Sequence, residues 1–448
     1  MINVTVGKLF LEAYNKAHST HYTPRQFFDE VFFPLFLDSN KYMIWVGNSP
    51  FVQLKSGEKV SNLSKERRLE LLDTFHEKVK AGYIDASTAP GFPASEKEEF
   101  NSTSGQVTDI AIDISPEDVY CAWFGAALGV GVEGGYSFLF QDPELLLKIA
   151  KGWSVYRRFL DDQAIQIAPN KISSWNGQWL SYFLETNNPN PIIRDFEERG
   201  AFKESDKNIE IKTLPWSKLL FRLSKHYKPE SGSSSLLAYI YSFGQTNQTL
   251  GFYSMKLHEV RSLIALYKKL FGAQAAIQDA STYEALYGDA LEYACQKGTL
   301  GLSALEPKAL REMYNQKKKD TRKHKNLDVI SFRTYKTWLL AMITKNKEEQ
   351  LEYSKEVAQA LHELLKEKAQ EKQGSTRYLN LVNELLESAT KYEFFKALNN
   401  LVKELPAEHE RLSTFKELRD YVHGLPVEDF RYFSVLLQLD YAFIEKEA

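Results

Sequence analysis

The chain has 448 residues, of which 43% are hydrophobic and 26% charged. That balance excludes a largely disordered or collagen-like polypeptide and leaves room for two or three domains. Cys121 and Cys295 are the only cysteines, too few for a disulfide framework or a four-cysteine zinc site, and they fit a reducing, cytoplasmic compartment. No run of about 18 apolar residues predicts a membrane span, and no basic-then-apolar leader predicts secretion.

Taken in order, residues 1–310 read as mixed α and β. Helical spacing runs from Val6 to Lys16, and Thr23 can cap a helix opening at Pro24. Tyr42 to Leu54 carries strand-like residues interrupted by Gly47-Asn48-Ser49-Pro50. Leu63 to Lys80 is a strong helix, with Ser64 as cap and Gly82 beyond its end. Ala86 to Gly105 reads as loop, Val107 to Ile114 as a strand, and Phe124 to Tyr136 as a glycine-rich apolar run. Pro143 opens a helix to about Leu160, and loops dominate Thr186 to Asn208. From Phe332 onward the text is helix-forming, with apolar stripes broken at Gly374, Pro406 and Gly424-Leu425-Pro426. The predicted class is therefore α+β: a mixed region with short sheets and helices over 1–310, then a basic segment and all-helical bundle over 311–448.

The net charge of −3 hides an asymmetry. Residues 308–347 hold 12 basic and 3 acidic residues, whereas 348–448 hold 13 and 20. The peak contains Lys317, Lys318, Lys319, Arg322, Lys323 and Lys325. Such a run attracts phosphates through counterion release, although a solvated helix face has the same composition.

Three motifs invite chemistry. Gly129-Val130-Gly131-Val132-Glu133-Gly134 matches the dinucleotide fingerprint by letter, but strand-like residues follow where a phosphate-binding helix should open. Glu210-Ile211-Lys212 with upstream Asp195 has the carboxylate-then-ExK order of metal-dependent restriction-type nucleases, where carboxylates hold the cation and the lysine assists the nucleophile. The third is a pair of polar-aromatic segments, Trp175-Asn176-Gly177-Gln178-Trp179 and Ser242-Phe243-Gly244-Gln245-Thr246-Asn247-Gln248-Thr249. Amides pair a donor with an acceptor, as adenine demands in the major groove, and neighbouring rings can wedge or stack. Amide-capped turns over core aromatics explain the same letters.

These words also resemble a family. Phe27-Phe28-Asp29-Glu30 through Phe33-Pro34-Leu35-Phe36, Trp45-Val46-Gly47-Asn48-Ser49-Pro50-Phe51, Gly134-Gly135-Tyr136, Gly152-Trp153 with Tyr156-Arg157, and the Ser242 to Gly251 segment resemble the large subunit of type I CRISPR interference complexes (Cascade), of the compact subtype I-B kind. The cysteine zinc site of some such subunits cannot be built from this chain. The resemblance implies a non-catalytic reader without cofactor. It would dock on the backbone and guide 5′-end subunits and on the guide RNA, recognise the protospacer-adjacent motif in target DNA, help open the duplex and stabilise the R-loop. Base pairing would supply most of the specificity. Asn48, Asn176, Gln178, Gln245, Asn247 and Gln248 are the expected base or strand-separating contacts, and the six basic residues the phosphate contacts. A separately translated small subunit could start at Met313 and would have 136 residues. A recruited nuclease-helicase or transposition machinery would then act on the DNA. The alternative from a different class is a nuclease using Asp195, Glu210 and Lys212.

Overall fold

The computed structural model describes residues 1–82, 87–92, 114–204, 208–229, 235–242, 248–307, 329–370 and 375–447. The expected strand at Val107 to Ile114 lies outside these, apart from Ile114. The described residues confirm an α+β chain with small sheets, many helices and a helical C-terminal region. They divide into two compact units, Met1–Leu339 and Leu340–Ala448.

In the first unit, α1 (Ile2–His18) is followed by a short α2 (Pro24–Phe27). Thr23 and Gln26 cap α2 reciprocally through 2.9 and 3.2 Å bonds. The backbone then widens into one π turn, Phe28–Phe32, before α3 (Phe33–Phe36). Pro34 has no N–H with which to continue the regular ladder. Next comes α4 (Lys65–Lys80), capped by Ser64 as its sequence predicts. The Tyr42–Leu54 segment forms no strand, because Ser49 and Val52 donate backwards to Val46 and Ser49 and close consecutive turns.

α5 (Pro116–Ala127) is a helix within a stretch whose sequence reading found none; Ser115 and Asp118 form a full capping box, and Pro116 occupies its first turn. α1 and α5 meet at paired glycines. A Cβ on Gly7 would lie 1.9 Å from the Cys121 carbonyl oxygen, and one on Gly125 would lie 1.9 Å from that of Asn3. Backbone-to-backbone contact of this kind needs both residues to lack side chains.

The glycine-rich run is a hairpin: β1 (Val130–Val132) and β2 (Tyr136–Phe140) turn through Gly134 and Gly135, both at positive φ. The fingerprint glycines thus serve a turn and a tight packing contact rather than opening a helix. α6 (Pro143–Asp161) and α7 (Ile172–Thr186) follow, with the Gly177 backbone pressed on the Gly131 carbonyl. Then come α8 (Ile193–Glu197), a small ribbon of β3 (Phe202–Glu204) and β4 (Ile209–Ile211), and the strongly amphipathic α9 (Trp216–His226). β5 (Leu236–Ser242) and β6 (Gln248–Met255) make a second hairpin. α10 (Leu257–Phe271), α11 (Ala273–Gln278), α12 (Ala280–Leu286), α13 (Leu291–Cys295) and β7 (Thr299–Leu300) complete the order. The main sheet runs β1-β2-β5-β6-β7, antiparallel except for the last pair.

The boundary between the units falls inside a 42-residue helix, α14 (Val329–Gln370). The second unit adds α15 (Ser375–Leu386), α16 (Lys391–Glu404), α17 (Leu412–Gly424) and α18 (Val427–Glu447). Its core is one cluster that includes Leu361, Leu364, Val382, Phe394, Leu401, Phe415, Leu418 and Phe433. The apolar stripe from Tyr378 to Leu401 is two helices, because Thr390 and Glu393 start a new one with a capping box.

Candidate nucleic-acid interface

The expected contacts divide sharply. Lys317, Lys318, Lys319, Arg322, Lys323 and Lys325, with Gln245 and Asn247, lie outside the described residues. Gln248 opens β6 opposite Ser242. Asn48 is exposed in the turn after Trp45, whose indole is itself 53% exposed. These two form an accessible ring-and-amide pair on one loop, and Gln53 braces it by donating to the Gly47 carbonyl at 2.7 Å.

Asn176 and Gln178 require correction. Their segment is the interior of α7, not a turn, and Trp175 and Trp179 are core residues. Asn176 is 0% exposed; its amide nitrogen donates to the carbonyls of Ala127 and Gly129 at 2.8 and 2.9 Å. It thereby ties the end of α5 to the start of β1. Gln178 is also buried and donates to the Lys212 carbonyl at 2.7 Å. Both amides satisfy buried backbone groups, which cannot be left unpaired cheaply, so neither reaches a base.

The residues of the nuclease alternative also have local structural partners. The Asp195 carboxylate caps α8, accepting from the Ile192 N–H at 2.9 Å. Glu210 is exposed on β4 opposite Lys203, and Lys212 is exposed just past that strand. Among the described residues, no three His, Cys, Asp or Glu side chains gather as a cation site would need.

Two features emerge that motif reading passed over. The first is the face of the β5–β6 hairpin. Tyr239 stands opposite Phe252 with ring centroids 5.0 Å apart, and Tyr239 also stacks along the strand on Tyr241 at 6.0 Å. Phe252 is 53% exposed, and Leu237 next to Tyr239 on the strand is exposed too. The register shifts between Ile240 and Tyr241, where Gly251 adopts φ +110°. Such a bulge sharpens the twist of the ribbon. An apolar, ring-bearing ribbon therefore ends at the amide-rich segment 243–247.

The second is a cationic cluster on α9. Lys218, Arg222 and Lys225 are spaced four and three residues apart, with His226 four after Arg222, opposite buried Leu219, Leu220 and Leu223. Arg199, from the loop after α8, joins them. Two carboxylates answer these bases: Glu185 binds Arg199 at 2.7 Å and Arg222 at 2.9 Å, while buried Glu284 pairs with Lys225 and lies 3.6 Å from Arg222. Lys218 has no ion-pair partner among the described residues. Burial, reinforced by Arg222, pushes its pKa below the ordinary lysine value, and the same two causes hold His226 below the usual histidine value. Burial pushes Glu185 up, but Arg199 and Arg222 outweigh it and keep this carboxyl ionised to lower pH than usual. The cluster thus carries surplus positive potential, the condition for attracting a phosphate. Its spacing is legible in Lys218 through His226; its shortage of partners appears only once Glu185 and Glu284 are located.

No protein-family model, curated protein or solved structure matches this chain. No described helix is long and apolar enough to cross a membrane.

Proposed function

We propose that this chain is the non-catalytic large subunit of a type I CRISPR interference complex, acting in the cytoplasm. In that role it recognises the protospacer-adjacent motif, helps part the duplex and stabilises the R-loop beside the guide RNA and its carrier subunits. The observation that carries the reading is the pairing of half-buried Tyr239 with exposed Phe252 across β5 and β6, two strands whose connecting sequence, 243–247, contains Gln245 and Asn247. Rings on a twisted ribbon can enter a base step, and amides can meet the base edges they uncover. The lysine-rich segment before α14 and the α9 cluster would hold the strands by their phosphates, without sequence preference.

The test uses the complex assembled with its native guide RNA and partner subunits. A Tyr239→Ser/Phe252→Ser variant should bind fully paired target DNA about tenfold more weakly. It should bind a target with a pre-opened bubble at the motif-proximal end as the parent does. Equal loss on both targets removes the strand-opening role. Charge reversal of Lys317, Lys318 and Lys319 should lower the salt dependence by roughly one phosphate contact per lysine engaged; an unchanged slope removes the basic segment from the interface. Intact-mass analysis of the purified complex, with a species beginning at Met313, tests the separately translated small subunit.

A further inference from the structure

The α9 cluster does not spread its charge evenly. Buried Glu284 is held between Lys225 and Arg222. Glu185 is shared by Arg199 and Arg222, at 2.7 and 2.9 Å. Lys218 lies one turn before Arg222 on the same helix face, and no carboxylate among the described residues pairs with it. Four cations thus meet two carboxylates, and the cation bound to neither is Lys218. His226 adds no charge at neutral pH, because burial and the neighbouring Arg222 hold its pKa below the usual histidine value.

The roles within the cluster follow from which nitrogens reach solvent. The Arg222 side chain is only 12% exposed, its terminal nitrogens face the two carboxylates, and its Nε is sealed. It therefore backs the site and touches no ligand. Lys218 is half-buried, but its ammonium is not among the sealed atoms and keeps its donors free. Arg199 is exposed; it bonds Glu185 through one terminal nitrogen, and its guanidinium carbon lies 5.1 Å from the Tyr182 ring centroid. The rest of its N–H fork is uncommitted. The charge of Arg199 acts on Lys218, so the two open donors belong to one site. Partial burial strengthens the pull of that site on an anion, and the desolvation of Lys218 is already incurred in folding.

We infer that Lys218 and Arg199, backed by Arg222, bind a phosphate monoester: the terminal phosphate of a nucleic-acid strand. A monoester carries about −1.5 to −2 charge at pH 7 and three strong acceptor oxygens, whereas a diester carries about one charge. Only the monoester matches a surplus of two positive charges. Diesters also recur along a strand and call for free cations along its path. Here the cations that follow Lys218 on α9 are already held by Glu185 and Glu284. The inference rests on the nucleic-acid reading above and deepens it, because it names which phosphate the α9 cluster takes and fixes a strand by its end.

Calorimetric titration of the full chain at fixed ionic strength tests it. The probes are thymidine trinucleotides with a 5′-phosphate, a 3′-phosphate or hydroxyls at both ends, together with thymidine 5′-monophosphate and inorganic phosphate. At least one phosphorylated trinucleotide should bind saturably and about tenfold more tightly than the unphosphorylated one. It should also bind more tightly than the mononucleotide or phosphate alone. Lys218→Met and Arg199→Gln should each remove the margin conferred by the terminal phosphate. Arg199→Gln changes an exposed loop residue and leaves Glu185 paired with Arg222, so it carries the test even where Lys218→Met fails to fold. Lys16→Met, at an exposed position on α1, should leave the margin intact. No saturable binding, a margin that survives Arg199→Gln, or a mononucleotide that binds as tightly as the best trinucleotide overturns the inference. Equal binding of phosphorylated and unphosphorylated trinucleotides overturns it too, and leaves α9 as a contact for internal phosphates within the reading above. That reading itself falls on the separate comparison of paired and bubble DNA with the Tyr239 and Phe252 variant.

Discussion

Asn176 offers the sharpest separation between a residue that reads DNA and one that holds the fold. Truncation to Ala removes two hydrogen bonds, to Ala127 and Gly129, in a site with no solvent to replace them. A net contribution of about 1 kcal/mol per bond, plus the penalty for unmet buried carbonyls, puts the loss at about 3 kcal/mol. Asn176 also buries an Oδ1 that has no partner, and removing that atom offsets part of the loss. At a urea slope of about 3 kcal/mol/M, the midpoint of the transition that unfolds residues 1–339 should fall by about 1 M. The assay is urea denaturation followed by far-ultraviolet circular dichroism, with motif preference measured in parallel on the assembled complex. A destabilised variant with unchanged motif preference is the expected result. Unchanged stability with altered motif preference would refute the structural assignment and return Asn176 to the base-contact set.

Other consequences follow from the same contacts. Gly7→Ala should cost about 3 kcal/mol, near the upper end of overpacking penalties, because a carbon 1.9 Å from the Cys121 carbonyl forces α1 off α5; an unchanged denaturation midpoint contradicts the contact. Lys218→Met should stabilise the chain at neutral pH while weakening polyanion binding. The folded pKa lies below 10.5, so the unfolded chain holds more protons between the two values, and parent stability rises with pH across that window. The advantage of the methionine variant should therefore shrink as pH approaches 10.5, and a variant less stable than the parent at pH 7 defeats the argument. Burial pushes Cys121 up to about 12 and Cys295 up to about 11. Native protein should resist iodoacetamide at pH 8 and take up two equivalents after denaturation, whereas rapid native labelling would place a thiol in contact with solvent.

Local signals with a private mechanism were readable from the letters. Thr23 with Gln26, and Ser64 ahead of Lys65, mark helix starts because the cap needs only residues three apart. The same signal stood at Ser115-Pro116-Glu117-Asp118, but α5 is buried on nearly every side and shows no polar face to betray its period. Trp175 to Trp179 misled for a related reason: Asn176 and Gln178 are polar letters in a core that needs donors for its own carbonyls. The break at Thr390 was hidden by an apolar stripe that continues in phase across it. For the site, composition along the chain revealed the lysine-rich segment, whereas the α9 surplus depends on long-range pairings. Glu284 lies 59 residues from Lys225, and no window of sequence joins them.

The exposed indole of Trp45 has a practical corollary. The other six tryptophans are buried or half-buried, so their emission should be blue-shifted and shielded, leaving a red-edge component that arises from one loop. A dissolved quencher such as acrylamide should act almost solely on that component. Whatever molecule covers residues 45–48 would shelter it, and the unlabelled protein thereby carries its own optical reporter of occupancy at that corner.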